Sequence, residues 1–422
     1  MGEHPPPWLR LAGAGLVLPG PDGTACTDLG TFWRVISEGI SCLSPYRHPD
    51  LPLRLAGQVT GWDPVAALPV PERTARRLSR AARLAMGAVH GALTDAGLTG
   101  ADLDPERTVL IASSLQFAFP EAERYHTVGQ AKGYAALGLD YWMTGTPPSV
   151  VGAVASALGL PVPTLSVAGS CNVALRALET ALLMFRCGDI DRAIVVGIDT
   201  TVDPVFVAGT SYESRSGYRA TSLSADPGDI RPHDAVQDGN ATGEGAVAVV
   251  LDRDTGAGGL RHRLRLHSSR SNGPSAVATG PPDNVARDVA AVLRPAGRGP
   301  ADVAFVSDYA DGNRFVEDHL CGALAATRTA FGYEGPLLLT NQEAVFGHVA
   351  GTGGLVKYLA SLLMLRNGRI TPSVNCRTPY ARLPGTPVPV GGLPTDGDAA
   401  LVISSGAGGD ATSMLIELGR NV

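Results

Sequence analysis

The chain of 422 residues has little of what several enzyme and binding classes require. It contains only two lysines, Lys132 and Lys357, so a mechanism through a lysine Schiff base has few candidates. The net charge is −6, and the densest basic stretch alternates as Arg261, Arg263 and Arg265, which is typical of one face of a strand and argues against nucleic-acid binding. The chain contains no run of about 18 apolar residues, which argues against a membrane span. The opening MGEHPPPWLR lacks the regions of a signal peptide, so we expect a cytoplasmic protein.

The cysteines lack the spacings that zinc sites and redox pairs need. Six are scattered along the chain without a C-x-x-C pair or a Cys/His ligand pattern, so we expect neither a metal site nor a disulfide framework. Cys187 falls inside an apolar repeat, which predicts a place in the core. Cys171 differs from the others in its flanking sequence.

The order of predicted elements indicates the fold class. With 44% hydrophobic and 18% charged residues, the chain can bury a large core. β-branched runs such as TVLIASS and AIVVGID alternate with Ala/Leu-rich stretches that predict helices near 28–38, 71–96 and 148–158. This alternation predicts an α/β protein with buried strands.

One segment of the chain occurs twice. ALLMFRCGDI at 181–190 returns as SLLMLRNGRI at 361–370, and in each copy an Arg precedes a Gly that can take the left-handed conformation at a helix end. We therefore predict two similar α/β halves, 1–252 and 253–422, that pack together and each point one helix N-terminus toward a shared centre. The alternative is a chance similarity between two amphipathic helices.

Cys171 is the candidate nucleophile. In TLSVAGSCNVAL a strand-like segment ends, Gly169 and Ser170 form a tight turn, and Cys171 opens a long apolar helix. The dipole and unpaired N–H groups of a helix N-terminus lower a thiol pKa and so favour the reactive thiolate. The alternative interpretation is a small buried hydrophobic residue, the usual role of a free cysteine.

His348 holds the corresponding place in the second half. It follows a Gly and precedes the small residues VAGTGG, which predict the start of a helix. A neutral imidazole is favoured over an imidazolium at such a position, so we expect His348 to donate an Nε2 hydrogen bond to a developing oxyanion. A packing role is the alternative.

A glycine turn completes the candidate site. SSGAGGDATSML at 404–415 predicts a strand, a turn and a second strand, and glycines let the backbone approach a ligand closely. We expect the backbone N–H groups of Ala407 and Cys171 to form an oxyanion hole. A phosphate-binding loop is disfavoured, because neither a P-loop nor a strand–G-x-G-x-x-G–helix context is present.

Together, these segments resemble the β-ketoacyl-acyl-carrier-protein synthases, or ketosynthases, of the thiolase fold, in a divergent polyketide or natural-product branch. The resemblance covers essentially the whole chain and includes GAGLVLPG, FWRVISEG, PERTARRLSRAARLAMGAVHGAL, RPHDAVQDGNATGEGAVAVVL, GHVAGTGG and GAGGDA, beside the segment around Cys171. It implies a duplicated, five-layered αβαβα architecture and a homodimer, or a heterodimer with a related subunit. It also implies acyl chains delivered on the phosphopantetheine of an acyl carrier protein or on coenzyme A, and no cofactor bound by the chain itself.

The resemblance further implies roles for single residues. In the family, a cysteine takes the acyl group and two histidines help to decarboxylate a malonyl thioester; Cys171 matches the cysteine and His348 the second histidine. Three places depart from the family pattern. Tyr309 stands where the first histidine is expected, Glu343 replaces a lysine five residues before the second histidine, and Ala407 replaces a gating phenylalanine.

These departures predict impaired malonyl decarboxylation, because losing one imidazole donor costs about 3 kcal/mol, or roughly a hundredfold in rate. Acyl transfer to Cys171 needs only a thiolate and an oxyanion hole. The leading prediction is therefore an acyltransferase that passes an acyl group from a carrier protein to an alcohol, amine or thiol, with Tyr309, Asp308 or Glu343 as candidate base near the acceptor. Two alternatives stay open: decarboxylative Claisen condensation, with Tyr309 or His319 replacing the missing histidine, and a non-catalytic partner subunit like the chain-length factors.

Overall fold

The structure is a computed structural model that describes residues 6–215, 217–256, 259–270 and 281–419. Its strands are β1 (Trp8–Pro19), β2 (Ala25–Cys26), β3 (Ser44–Pro45), β4 (Leu55–Ala56), β5 (Thr108–Ser114), β6 (Thr164–Ala168), β7 (Arg192–Thr200), β8 (Glu244–Arg253), β9 (Leu260–Arg270), β10 (Val306–Ser307), β11 (Leu338–Thr340), β12 (Arg369–Ile370), β13 (Thr386–Pro387), β14 (Leu393–Pro394), β15 (Ala399–Gly406) and β16 (Asp410–Leu418). Its helices are α1 (Leu29–Glu38), α2 (Pro64–Ala67), α3 (Glu72–Arg77), α4 (Arg80–Asp95), α5 (Phe119–Lys132), α6 (Asp140–Thr144), α7 (Pro147–Ala157), α8 (Val173–Cys187), α9 (Pro204–Ser211), α10 (Asp283–Leu293), α11 (Arg314–Phe331), α12 (Glu343–Phe346) and α13 (Gly353–Asn367). Within the described residues, no helix combines the length and the apolar character that crossing a bilayer requires. Residues 1–5, which carry part of the signal-peptide argument, lie outside the described residues.

A large mixed sheet runs through the molecule in the strand order β13-β11-β10-β15-β16-β9-β1-β8-β7-β5-β6. The antiparallel pair β1–β9 joins two runs of strands. Along β1-β8-β7-β5-β6, two antiparallel pairs are followed by two parallel pairs. Along β9-β16-β15-β10-β11, the same directions recur. The end of β8 at Arg253 lies beside the predicted boundary between the halves, and that boundary stays a prediction.

Helices lie outside and between the two runs of strands. α4 packs on β1, β7 and β8, whereas α10 packs on β9, β15, β16 and α11. Between the runs, α8 and α13 pack against each other; α8 also contacts β5, β7 and β9, and α13 contacts β7, β15 and β16. The order of layers is therefore helix, sheet, helix, sheet, helix, as the resemblance implies.

The central helices pack closely because one of them has a glycine at the contact. A Cβ atom at Gly354 of α13 would lie 2.9 Å from the backbone N of Leu175 in α8. α13 is buried on all sides along most of its length, which is typical of a helix in the middle of a large core. Both helices end at a glycine in the left-handed conformation, Gly188 and Gly368, as the repeated segment predicts.

Most predicted elements are confirmed, among them α1, α7, β5 and β7. The predicted single helix at 71–96 is wrong, because the chain is extended at Leu78 and Ser79 and separates α3 from α4. The Ser79 side chain accepts a hydrogen bond from the backbone N–H of Ala82 at 3.1 Å and so begins the second helix.

The predicted core position of Cys187 is also wrong. Its side chain is exposed at the end of α8. The buried residues of that helix form one stripe ending at Phe185, and Cys187 lies off this stripe.

Candidate active site

A cavity of about 530 Å³ lies where the chain enters the two central helices. Its walls bring together five residues expected at the site: Cys171, Tyr309, Glu343, His348 and Ala407. Within the described residues, no group of three or more His, Cys, Asp or Glu side chains is arranged to hold a metal ion.

Cys171 lies in the turn between β6 and α8, two residues before the helix begins. The turn is tied to the second half of the chain, because Asn172 Nδ2 donates to Thr412 Oγ1 of β16 at 3.0 Å. The glycine turn after β15 approaches closely as well: a Cβ at Gly406 would lie 2.8 Å from the side chain of Ser170. Cys171 is thus held between a helix of one half and a hairpin of the other.

The backbone N–H groups of Cys171 and Ala407 are both available at the cavity wall. Within the described residues, neither of them donates a hydrogen bond. Two free donors on adjoining turns are what an oxyanion hole requires. The pairing of these two groups around one oxygen stays a prediction.

His348 approaches the sulfur from the second half. Its Nε2 lies 3.2 Å from Cys171 Sγ, which is hydrogen-bond distance for a sulfur. Its backbone is held in a short bridge with Thr242, and its N–H donates to the carbonyl of Ala241. The expected helix start at His348 is wrong, because α13 begins five residues later, at Gly353.

Glu343 lies on the opposite side of the imidazole. Its Oε2 is 3.0 Å from His348 Nδ1, and its Oε1 is 3.7 Å from Nζ of Lys357. An ionised carboxylate only accepts hydrogen bonds, so Nδ1 carries the proton and Nε2 faces the sulfur. The imidazole of His348 therefore connects Cys171 to Glu343, and these three residues form a triad. The carboxylate of Glu343 in turn lies beside the buried Lys357.

The charges in this triad determine which form each group takes. Burial lowers the pKa of His348, but the carboxylate of Glu343 and the thiolate of Cys171 outweigh it and hold that pKa well above its usual range. Burial likewise raises the pKa of the Cys171 thiol, and the positive charge and hydrogen bond of His348 lower it below its ordinary value. The geometry favours an imidazolium–thiolate pair. The neutral His348 expected from a helix N-terminus stays a prediction, and the geometry of the resting site favours the charged form, because a carboxylate, not a helix dipole, dominates its surroundings.

Tyr309 faces the cavity and is held from behind. Its hydroxyl lies 2.7 Å from His319 Nδ1 on α11. Burial raises the pKa of Tyr309 well above its ordinary value, assisted by the charges of Asp308 and Glu317, so the phenol stays protonated. Tyr309 can donate a hydrogen bond but brings no positive charge.

Asp308 is the predicted residue that the structure does not bring to the cavity wall. It is fully buried, and its oxygens accept hydrogen bonds from His233 Nε2 at 3.0 Å, from Asn341 Nδ2 at 3.1 Å and from the N–H of Ala310 at 2.9 Å. Asp308 therefore belongs to a buried network behind the site. It has no route to an acceptor in the cavity.

Two cavity residues were missed by sequence reasoning. Lys357 was considered only for a Schiff base, and its place beside Glu343 depends on the packing of α13. Asp311 lines the cavity two residues after Tyr309, within the same DYADGN segment that departs from the family pattern. The signal that could have identified Asp311 is a carboxylate inside a motif that departs from the family pattern.

A second, larger cavity of about 830 Å³ has a different character. Four of its wall residues are arginines, Arg73, Arg76, Arg77 and Arg124, and none is a predicted site residue. Such a set of guanidinium groups favours an anionic partner such as a phosphate.

The comparison with known families decides what kind of site this is. Residues 11–257 match the family model described as beta-ketoacyl synthase, N-terminal domain. The chain belongs to the beta-ketoacyl synthase family. The predicted resemblance is thereby confirmed, and members of this family are condensing enzymes of the transferase class.

Beta-ketoacyl synthases of polyketide pathways are similar to the chain over its whole length. This chain is 27% identical over 429 residues to the tetracenomycin polyketide synthase ketoacyl synthase alpha subunit of Streptomyces glaucescens. The match covers 97% of this chain and 96% of that protein. The ishigamide ketosynthase/chain length factor structure matches with a TM-score of 0.80 at 20% identity, covering 98% of this chain and 100% of that one. A type II polyketide ketosynthase in complex with its acyl-carrier protein, AntDE:AntF, matches with a TM-score of 0.78 at 19% identity, covering 98% and 99%. The thiolase-like α/β fold is confirmed by these matches.

Proposed function

We propose that the chain is a ketosynthase-like acyltransferase of polyketide or other specialised-metabolite biosynthesis. Cys171 takes an acyl group from the phosphopantetheine of an acyl carrier protein and passes it to an acceptor without decarboxylation. The observation that carries the proposal is the 3.2 Å contact between Cys171 Sγ and His348 Nε2, backed by Glu343. It provides a thiolate before any substrate arrives.

Acyl loading follows from this contact. The Cys171 thiolate attacks the thioester carbonyl, the N–H groups of Cys171 and Ala407 hold the oxyanion, and the bond to the pantetheine sulfur breaks. The departing thiolate takes the proton of His348, which becomes neutral. In the second step, neutral His348 accepts the proton of the acceptor nucleophile, and release of the Cys171 sulfur restores the ion pair. Glu343 keeps the imidazole oriented throughout, which makes it a positioning residue, not the acceptor-side base.

Malonyl decarboxylation is impaired for electrostatic reasons. The carbanion formed on loss of carbon dioxide needs donors or positive charge near the thioester oxygen, and Tyr309 offers a single neutral hydroxyl. Lys357 does supply a cation close to the site, but its charge is offset by Glu343 at 3.7 Å. The loss of one imidazole donor corresponds to about a hundredfold in rate.

The partners follow from the same chemistry. An acyl carrier protein delivers the thioester, with coenzyme A as the simpler donor. A second copy, or a related subunit, covers the exposed edge strand β6, which ends the sheet and pairs only with β5 among the described strands. Leu165 on this strand is 39% exposed, which is unusual for an apolar residue in the middle of a strand.

Acyl loading is the direct test. Incubation with acyl-carrier protein should add one acyl mass to the intact protein, and the adduct should map to Cys171. Cys171→Ala should abolish the adduct, and Cys187→Ala, an exposed thiol on the same helix, should leave it unchanged. An adduct that persists in Cys171→Ala would overturn the proposal.

Decarboxylative Claisen condensation is the second candidate, favoured by the Tyr309–His319 contact of 2.7 Å. Through this pair a hydroxyl backed by an imidazole replaces the missing histidine. Malonyl-carrier protein separates the two candidates: brisk release of carbon dioxide together with chain extension supports condensation. The non-catalytic subunit is disfavoured, because the Cys171–His348–Glu343 geometry is intact.

A further inference from the structure

Asp311 is a carboxyl group in the wall of the active-site cavity that none of the steps above uses. It follows β10 in the loop to α11, and only 5% of its surface is exposed. Asn240 Nδ2 donates to its Oδ2 at 2.8 Å, and the backbone N–H of Asn313 donates to its Oδ1 at 2.9 Å. Both donors are neutral and suit an ionised carboxylate that is held in one orientation.

The charge of Asp311 has no partner within the described residues. The two candidate cations that line the cavity, His348 and Lys357, both contact Glu343, at 3.0 and 3.7 Å. Burial raises the pKa of Asp311, and the positive charge of His348 only partly offsets this. A buried carboxyl without a cation shifts its pKa upward, as that of Asp311 does, and a cation bound beside it would restore the ionised form.

Asp311 and Cys171 both line this cavity. Tyr218 lines it too, and burial raises the pKa of that phenol to about 12, with further contributions from the charges of Asp311 and Cys171. A group bound by Asp311 therefore lies in the same cavity as an acyl group on Cys171.

We propose that Asp311 binds the ammonium group of a primary amine, so that the acceptor of the acyl group is an amine and the product an amide. This inference rests on the proposed acyl transfer and names the substrate class for it. A malonyl carboxylate would be repelled by Asp311, and an alcohol or a thiol would leave its charge unpaired.

The transfer balances with groups already at the site. The bound ammonium loses one proton to water through Asp311, and the free amine attacks the acyl carbon on Cys171. A carbon–nitrogen bond forms, the carbon–sulfur bond breaks, and neutral His348 takes the second proton from nitrogen. The amide leaves, and the imidazolium–thiolate pair is restored.

The experiment compares two acceptors of equal size, butylamine and butan-1-ol. Cys171 is first loaded from a panel of acyl-pantetheine thioesters, and loading is checked by intact mass. The amide and the ester are then quantified by mass spectrometry as a ratio of kcat/KM values. Asp311→Asn should lower the amine value by about tenfold or more, chiefly through KM, with little change for the alcohol. Asp396→Asn, which makes the same change at an exposed carboxylate outside the cavity, is the matched control and should leave the ratio unchanged.

Each outcome is decisive. An unchanged amine-to-alcohol ratio in Asp311→Asn, or equal transfer to both acceptors by the unaltered protein, overturns the role of Asp311. Absence of loading in the unaltered protein overturns the proposed function instead. If Asp311→Asn itself fails to load, Asp311→Ser removes the same charge with a smaller side chain and is assessed by the same ratio.

Discussion

Glu343 accepts a hydrogen bond from Nδ1 of His348 at 3.0 Å, on the side of the imidazole away from Cys171. Where the family pattern has a lysine, this chain places a carboxylate that raises the pKa of the histidine instead of lowering it. In this chain the carboxylate favours an imidazolium–thiolate pair in the resting site. This effect can be measured through the reactivity of the Cys171 thiol.

Glu343→Gln should reduce the reactivity of Cys171 at mildly acidic pH. Gln keeps the shape and an acceptor for Nδ1 but removes the charge, so the pKa of His348 falls. Removing Glu343 also removes its direct repulsion of the thiolate, but the positive charge and hydrogen bond of His348 have the larger effect on Cys171, so the thiol pKa rises. The thiolate is the main form only above the thiol pKa. Alkylation by iodoacetamide should therefore slow by about tenfold at about pH 6, and its rate should recover as the pH rises to about 9. In the unaltered protein the rate should stay high until the pH falls through the lowered pKa of Cys171.

Peptide mapping separates this effect from the other thiols. Cys187 is exposed and serves as an internal control whose alkylation should be the same in both proteins. Identical pH profiles for Cys171 with and without the Glu343 carboxylate would contradict the triad.

Tyr309→His should increase carbon dioxide release from malonyl-carrier protein. An imidazole at this place restores a second donor and a chargeable group beside the thioester, an effect of about a hundredfold at most. Carbon dioxide is measured with a coupled assay, and Tyr309→Phe provides the control that removes the hydroxyl alone. If Tyr309→His releases no more carbon dioxide than Tyr309→Phe, position 309 does not limit decarboxylation.

The arginine-lined cavity should serve the carrier and not the chemistry. We expect Arg73→Glu combined with Arg124→Glu to raise KM for acyl-carrier protein by about tenfold, because the phosphate of phosphopantetheine is repelled. Loading from a small thioester without phosphate should be unaffected. Arg366→Glu, at the far end of α13, is the matched charge reversal and should change neither rate. Equal losses with both donors would contradict a role in carrier binding.

The buried pair behind the site should matter for stability. His233 and Asp308 are both fully buried, with Nε2 and Oδ2 3.0 Å apart. His233→Ala leaves the carboxylate without its cation and should lower the free energy of unfolding by about 3–5 kcal/mol. Denaturant unfolding measures the loss, and the double variant with Asp308→Ala should be more stable than the sum of the single losses predicts. Simple additivity would show that the two side chains do not interact.

Local patterns predicted much of the fold. β5 at TVLIASS and the left-handed helix ends at Gly188 and Gly368 depend on residues within a few positions, and all are found where expected. The split of the helix at 71–96 had a local signal too, the capping serine at Ser79, and it was outweighed by the long apolar pattern. Cys187 is exposed because it lies on the side of α8 that faces away from the core. A helical repeat alone does not define which side of the helix faces the core.

The roles around His348 show the limit of the sequence. Glu343 lies five residues before it, and the pair meets because Gly347 takes a positive φ of 80° and turns the chain after the short helix α12. Asp308 and Tyr309 are adjacent, yet one lies in a buried network and the other at the cavity. Sequence spacing did not distinguish these cases, because each depends on what packs against the segment.

The amino-acid sequence by itself determined the family, the candidate nucleophile and the three departures around it, since each resides in a short motif whose chemistry is local. Only the tertiary structure decided that Cys171, His348 and Glu343 form one charged triad and that Asp311 faces the same cavity. The physical reason is that Cys171 and His348 are 177 residues apart. Their contact, and with it the lowered pKa of the Cys171 thiol, exists only because two central helices and a hairpin pack into one core.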